Sequence, residues 1–429
     1  MIERIKSALA RCGIDLWRIN ERLDETAELF FVKKQLDTRR SKDVHKFEVT
    51  VFRDVAADGK EKPARGFTSV QLIASMDDGE IDEKLKDAYY AAQFAANPYF
   101  EMPDPVRASV VEEHGKLAQA PLAQSAGKMA KALFAPDVHE DAFVNSAEIF
   151  VCRVRRRILS SEGTDVSFVN TSVNGEFVVQ CKAPEDVEIH NQFEYEALDE
   201  AALSAKVSEA LTFVRDRARA QKILKSGKYD LVLSGDAVRE LLSYYVSRSA
   251  ASMVYAKYST WQQGEDVQGE TDGEKLDLTL RAFHPYSTEG IPTGADLPLL
   301  EGGKLLLWHG PNRFCRYLGV KPTGEYQRIA CANGTVAFDE LKKGPVLWAV
   351  TFSDFQMDEA SGHFGGEIRL AYLIDGDGKA TPVTGGSVNG SILEAQKNLV
   401  FSKERYLTAG YDGPYAVRLK NVSVAGAGE

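Results

Sequence analysis

The residues of this chain with the most obvious catalytic potential are its seven histidines and the acidic residues near them. A zinc hydrolase commonly places two histidines on adjacent turns of one helix, with a glutamate beside the first as general base. His139 and Glu140 begin such a pair, but Phe143 and Val144 stand where a second histidine would fall. An exposed loop or helix start is the simpler interpretation of His139.

Other arrangements of residues give equally weak indications of a catalytic or metal site. His309 and Cys315 are close enough in sequence to form a base and a nucleophile, although Gly310 and Asn312 between them are typical turn residues. Residues 375–378, Asp-Gly-Asp-Gly, lack the third acidic ligand and the closing glutamate of a calcium loop, so they predict a hairpin turn. The remaining histidines, at positions 45, 114, 190, 284 and 363, are scattered.

Composition and charge limit the classes of partner. The chain has 429 residues, 44% hydrophobic and 27% charged, as expected for a globular protein of two or three domains. A formal net charge of -11 argues against binding a phosphate backbone, which needs clustered Lys and Arg. The densest basic run, residues 153–157, lies in a strand-like segment and predicts a solvated strand face. Direct nucleic-acid binding is therefore not expected.

The cellular compartment follows from the N-terminus and the cysteines. The first residues, MIERIKSALARCGIDLW, carry early charges and lack the apolar core of a signal peptide. No segment approaches the roughly 18 apolar residues of a membrane span. The five cysteines are far apart and have no C-x-x-C spacing. We therefore expect reduced thiols, no membrane association and a cytoplasmic location.

The order of predicted elements suggests a duplicated N-terminal domain, residues 1–225, with halves at 1–100 and 145–225. In the first half we expect strands at 27–38, 43–53 and 67–74 and a helix at 78–96. In the second half we expect strands at 148–154, 166–170, 177–181 and 187–195, followed by a helix that Asp199 caps. The repeat rests on element order alone.

The C-terminal domain, residues 226–429, is expected to be mainly antiparallel β with a few helices. A short apolar strand at 230–233 precedes a helix from about Asp236, and further strands are predicted at 305–308, 346–352, 367–374 and 415–422. The complete prediction is an α+β protein of two domains.

The most distinctive stretch of the sequence is residues 353–394. It begins with a D-x-x-S-G-x-F pattern and continues through an alternating strand, a P-V-T-G-G step and an N-G-S-I-L-E close. This succession resembles the C-terminal region of the TldD/PmbA family, once described as modulators of DNA gyrase. Residues 290–293 (GIPT) and 321–324 (KPTG) are further matching steps. In that family one subunit type carries a zinc-protease motif and the other, PmbA (also called TldE), does not.

The resemblance also identifies where the zinc chemistry would be. Zinc-bearing TldD-type subunits carry H-E-x-x-x-H on a helix like the one from Asp236, with a further cysteine ligand near the C-terminus. On this chain Ser243 takes the place of the first histidine, Tyr244 of the glutamate, Arg248 of the second histidine and Ala409 of the cysteine. Serine is a poor neutral ligand, tyrosine is no base near neutral pH, and arginine repels a cation.

The resemblance therefore implies a PmbA-like, non-catalytic subunit that contains no metal or cofactor itself. Its expected partner is a TldD-type zinc metallopeptidase, or a second copy of itself, acting on unfolded peptides. Ser243, Tyr244 and Arg248 would line a relic peptide groove, or would simply complete a packed helix. The divergence of residues 236–261 from both subunit types leaves a separate, third branch open.

Two alternatives remain at this stage. A stand-alone metallopeptidase would need scattered residues to converge in space, among them His284, His309, His363, Asp354 and Asp358. A regulatory or scaffold homodimer would act without proteolysis, through contact with protein rather than DNA.

Overall fold

The architecture confirms the α+β class expected from the sequence. The computed structural model describes residues 1–427, apart from 57, 58, 60, 61, 96, 110–116, 118 and 119. His114 and the predicted end of the helix at residue 96 lie outside the described residues. Within the described part, no helix is both long and apolar enough to cross a bilayer.

The N-terminal domain is built on one seven-stranded sheet with the order β3-β2-β1-β5-β6, followed by β7 and the short β4, which both pair with β6. Every pairing is antiparallel except that of β4. The elements are α1 (Ile2–Arg11), β1 (Trp17–Val32), β2 (Gln35–Val55), β3 (Ala64–Ile73), α2 (Asp78–Ala92), β4 (Arg107–Ser109), α3 (Leu122–Phe134), β5 (Ala142–Ser160), β6 (Asp165–Cys181), β7 (Val187–Tyr195) and α4 (Glu200–Ala218).

The order helix, three strands, helix occurs twice in this domain. The first unit runs from α1 to α2, the second from α3 to α4, and they meet where β1 pairs with β5. The second unit begins with α3, upstream of residue 145, and the duplication with halves at 1–100 and 145–225 stays a prediction. Asp199 caps α4 as predicted, because its Oδ1 accepts the Ala202 N–H at 2.9 Å.

Several strand boundaries differ from the prediction; the strand expected at 305–308, for example, ends at Leu305. Two differences in the N-terminal sheet have a clear physical cause. A turn at Lys33 and Lys34 divides the strand expected at 27–38, and Lys33 takes a left-handed conformation with φ 54°. No Gly, Pro or Asn marks this turn, so the pattern did not reveal it. The strands expected at 166–170 and 177–181 are one strand, β6, which runs unbroken through Asn174 and Gly175. Glycine is required at position 175 because a Cβ there would stand 2.0 Å from the Glu148 carbonyl oxygen. That glycine serves close packing rather than a turn.

The C-terminal domain has two sheets. The first has the order β13-β8-β20-β16-β14-β15, with β13 and β14 also paired and β17 on β20, and the second is β11-β10-β9-β12-β19-β18. The elements are β8 (Gly227–Ser234), α5 (Asp236–Arg248), α6 (Ala251–Tyr255), β9 (Leu278–Arg281), β10 (Leu297–Glu301), β11 (Lys304–Leu305), α7 (Asn312–Tyr317), β12 (Arg328–Cys331), α8 (Phe338–Leu341), β13 (Val346–Met357), β14 (His363–Ile374), β15 (Ala380–Val383), β16 (Ser387–Ser391), α9 (Ile392–Ala395), β17 (Val400–Phe401), β18 (Arg405–Leu407), β19 (Tyr411–Pro414) and β20 (Ala416–Ala425).

Most pairings in this domain are antiparallel, as expected, and β8–β13 and β12–β19 are parallel. The large hydrophobic core joins β8, one face of α5 and strands from both sheets. Helix α5 is thereby held at the centre of the domain.

Candidate functional site

Helix α5 begins where the central strand β8 ends. Gly235, with φ 63°, turns the chain between them, a conformation that glycine adopts without steric cost. Val238, Leu241, Leu242 and Tyr245 are completely buried, so this face of the helix packs into the core. The predicted helix start and apolar face are confirmed.

Ser243 lies on the half-buried side of α5 and turns its hydroxyl back onto its own helix. The Ser243 Oγ donates to the Glu240 carbonyl oxygen at 2.7 Å, an intrahelical bond common for serine. The Glu240 carboxylate in turn accepts the Met357 N–H at 3.2 Å and so connects the helix to β13.

Tyr244 belongs to the hydrophobic core. Its side chain is 3% exposed and packs edge-on against Tyr245 and Trp261, with ring centroids 5.4 and 5.6 Å away. Burial raises the pKa of the Tyr244 hydroxyl. The hydroxyl is therefore even less able to act as a general base near neutral pH. The ring therefore packs into the core at the position to which the sequence resemblance assigns the catalytic glutamate.

Arg248 ties the end of α5 to two neighbouring loops. Its guanidinium donates to the carbonyl oxygens of Tyr258 and, at 3.3 Å, of Ala360. It also lies over the Trp261 ring at 5.6 Å. A fixed cation in this place repels a divalent metal.

Ala409 lies between the two domains. Its side chain is 2% exposed, its N–H donates to the Glu194 carbonyl oxygen of β7 at 3.0 Å, and its own carbonyl accepts from Arg328 Nε at 2.9 Å. The adjacent Gly410 faces Arg239, since a Cβ there would be 2.8 Å from the guanidinium. Arg239 is one helical turn before Ser243, so the Ala409 segment lies beside the first half of α5.

The other residues considered for catalysis have separate partners. His309 Nε2 faces the Val246 carbonyl oxygen at 2.9 Å, whereas the Cys315 thiol donates to the Gly310 carbonyl oxygen at 3.4 Å. Burial raises the pKa of Cys315 to about 11. His363 is exposed beside Ser361. In the described part of the chain, no three His, Cys, Asp or Glu side chains are grouped as a metal site would require.

A cleft of about 620 Å³ opens at the N-terminal end of α5, between β7 and α4 on one side and β13 on the other. Lys206 bridges it, with Nζ 3.1 Å from the Tyr406 hydroxyl and 3.8 Å from an Asp236 carboxylate oxygen. Arg239 lines both this cleft and a second one of about 460 Å³ that contains Thr408 and Gly410. Sequence reasoning missed the cleft because its walls come from both domains.

Strand β7 presents backbone groups to this cleft. Residues 188–192 line it consecutively, and the outer edge of the strand already accepts hydrogen bonds at the carbonyl oxygens of Glu188, from Arg217, and Glu194, from Ala409. Because alternate residues of an antiparallel strand point their N–H and C=O groups to the same side, His190 and Gln192 direct theirs into the cleft. An open strand edge of this kind can pair with an extended peptide.

Comparison with known proteins places this two-domain fold in a defined class. Residues 226–426 match the family model for the PmbA/TldA metallopeptidase C-terminal domain. The solved structure of TldE from Thermococcus kodakarensis superposes with a TM-score of 0.80 at 16% identity, covering 99% of this chain and 100% of that one. A proposed modulator of a DNA gyrase from Thermotoga maritima gives 0.77 at 16% identity, covering 99% and 100%.

A proposed modulator of DNA gyrase from Bacteroides thetaiotaomicron gives a TM-score of 0.79 at 16% identity, covering 99% of this chain and 98% of that one. No curated protein matches the sequence at a significant level. The class is thus that of the two-domain metallopeptidase-related proteins, since the C-terminal domain matches in sequence and the whole chain matches in fold. Residues 226–426 therefore form a C-terminal domain of the PmbA/TldA metallopeptidase family, and the whole chain shares the fold of these solved structures.

Proposed function

We propose that this chain is a non-catalytic subunit that binds an extended peptide and acts with a separate zinc-bearing TldD-type peptidase in processing or degrading peptides. The observation that carries the proposal is how the side chains of Tyr244 and Arg248 on α5 are held. Tyr244 is packed into the core and Arg248 is fixed by two carbonyl oxygens, at the positions to which the resemblance assigns a general base and a zinc ligand. The five cysteines are free thiols, which suits the cytoplasmic location that we propose.

The interdomain cleft supports peptide binding. It combines the open edge of β7 with charged side chains, including Arg239, which has no ion-pair partner among the described residues. We place the peptide along β7, where main-chain hydrogen bonds would give affinity for unfolded chains of varied sequence. The groove predicted at Ser243, Tyr244 and Arg248 stays a prediction, and the contacts above leave only Ser243 and Arg248 near the helix surface.

The partnership is tested by copurification and reconstitution. The tagged chain is expected to retain an H-E-x-x-x-H homologue from its own genome, and the pair is expected to cleave unstructured peptides that neither protein cleaves alone. Adding a chelator should stop cleavage by the pair. Chelator-sensitive cleavage by the purified chain alone would refute the non-catalytic role.

Peptide binding is tested with N-methylated peptides. We expect a dye-labelled unstructured peptide to lose affinity when methyl groups block the backbone N–H groups of one alternating set of residues, but not of the other set. Arg239→Met and Arg248→Met distinguish binding in the interdomain cleft from binding at the groove predicted on α5. The first substitution changes the cleft and the second changes the end of α5, so the variant with the weaker peptide affinity identifies the site. Equal effects of both methylation patterns would exclude strand pairing.

A regulatory homodimer without proteolysis is the second candidate. Two of the structural matches are described as proposed modulators of DNA gyrase. With a net charge of -11, such a role would use contacts with protein rather than with DNA. Absence of any H-E-x-x-x-H homologue from the source genome would favour it.

A further inference from the structure

The open edge of β7 is closed at both ends by other parts of the protein. At one end the Arg217 guanidinium, from α4, donates to the Glu188 carbonyl oxygen. At the other end the Ala409 N–H donates to the Glu194 carbonyl oxygen at 3.0 Å. Positions 188 and 194 are an even number of residues apart, so their backbone groups point to the same side of the strand, away from β6. The two contacts therefore mark the limits of the edge that a peptide can use.

Between these limits, two residues keep both of their outward backbone groups available. In the described part of the chain, neither the N–H nor the C=O of His190 or Gln192 has a hydrogen-bond partner on that side. These groups open into the cleft of about 620 Å³, a volume typical of ligand sites. The peptide residues opposite His190 and Gln192 can each exchange two hydrogen bonds with them. The usable edge thus covers a stretch of about three peptide residues.

The two ends are closed in different ways. Ala409 occupies the place of a paired strand with its own backbone, whereas Arg217 closes its end with a side chain. Among the described residues, the Arg217 guanidinium makes the hydrogen bond to Glu188 and no ion pair. Burial first, and then the charge of Arg369, lower the pKa of Arg217, while the charge of Glu185 raises it. Removing this side chain would therefore open one end of the edge without breaking a salt bridge.

Given the peptide binding proposed above, we propose that the Arg217 side chain limits the paired stretch of a bound peptide to about three residues. Its guanidinium occupies the Glu188 oxygen, to which the N–H of the next alternate peptide residue would bind. The peptide pairs antiparallel to β7, as β6 does, so that residue lies on the C-terminal side of the paired stretch. The chain then binds a short length of backbone, and the flanking residues of the peptide stay available to the partner subunit.

Single N-methylation along a dye-labelled unstructured peptide with blocked termini tests this limit. In the wild-type chain, methylation should weaken binding about fivefold or more at the two N–H groups that face His190 and Gln192, and at no others. In Arg217→Met a third sensitive N–H should appear, two residues closer to the C-terminus of the peptide, because the Glu188 oxygen is then open. The unmodified peptide should bind this variant about fivefold more tightly than wild type.

Arg215→Met is the matched control on the same helix. The Arg215 side chain pairs with Asp141 at 2.8 Å, outside the cleft lining. This variant should keep the wild-type affinity and the two sensitive positions. The same change of pattern in Arg215→Met as in Arg217→Met would overturn the specific role of Arg217.

The remaining outcomes separate this proposal from the peptide binding on which it rests. A third sensitive N–H in the wild-type chain would overturn the limit, and this result does not depend on whether Arg217→Met folds. Two sensitive positions in both wild type and Arg217→Met would show that another group sets the limit. A third position on the N-terminal side in Arg217→Met would overturn antiparallel pairing. If the peptide does not bind the wild-type chain at all, the proposed peptide binding itself is refuted.

Discussion

Ala409 and Glu194 join the two domains of this protein through a backbone hydrogen bond of 3.0 Å, from the Ala409 N–H to the Glu194 carbonyl oxygen. The sequence resemblance assigns Ala409 to the position of a cysteine ligand in the zinc-bearing subunits, and Glu194 is on the edge strand of the N-terminal sheet. The Ala409 segment has a defined position beside α5, and its methyl side chain offers no metal ligand.

Zinc content is the first prediction. The chain, purified without chelators, should contain far less than one zinc per molecule, because Ser243, Arg248 and Ala409 offer no adequate ligand set. Elemental mass spectrometry measures this directly, with a zinc-bearing family member prepared in parallel as control. About one tightly held zinc per chain would mean that other side chains form a site.

Tyr244 should behave as a core residue. Tyr244→Ala is expected to lower the free energy of unfolding by about 3–5 kcal/mol, because it leaves a cavity beside Tyr245 and Trp261. Tyr90→Ala, at a helix position where the side chain is 63% exposed, should change it by less than about 0.5 kcal/mol. Urea denaturation measures both, and similar losses in the two variants would contradict the buried position of Tyr244.

Stability should fall in mildly acidic solution because of His284. Burial first, then the charges of Arg156 and Arg22, lower its pKa from 6.5 to about 4. Between these values the unfolded chain binds a proton that the folded chain does not, so stability is present above pH 6.5 and is lost as pH falls towards 4. His284→Gln should remove on the order of 2–3 kcal/mol of this pH dependence.

The wild-type curve of unfolding free energy against pH is the reference for that titration. A His284→Gln curve as steep as wild type would show that His284 is protonated in the folded state.

Two glycines should respond oppositely to alanine. A Cβ at Gly66 of β3 would lie 1.7 Å from the Ala92 carbonyl oxygen, so Gly66→Ala must displace α2 and should cost about 1–3 kcal/mol or more. Gly127, inside α3, has nothing within 4 Å of an added Cβ, and Gly127→Ala should stabilise by about 0.5–1 kcal/mol. Paired denaturation curves test the sign of each change.

The sequence predicted correctly those helices and strands in which apolar residues recur with a clear period. The β7 bounds, the Asp199 cap and the buried face of α5 all follow from short-range spacing, because one face of each element meets a core. The hairpin turn at Lys33 was missed, since a lysine in a left-handed conformation gives no compositional signal. The run through Gly175 was also missed, because the need for glycine there comes from the neighbouring strand.

The sequence by itself predicted a two-domain α+β chain with a PmbA/TldA-type C-terminal domain. Its residue types also exclude a zinc-ligand set at Ser243, Arg248 and Ala409, the positions that the resemblance assigns to the ligands. Only the tertiary structure decided that Tyr244 lies in the core, that a cleft opens at Arg239, and that Arg156 faces Arg22. The physical reason is that periodicity is a short-range property, which reports only which side of an element is buried. Strand register and domain packing choose which distant residues meet there.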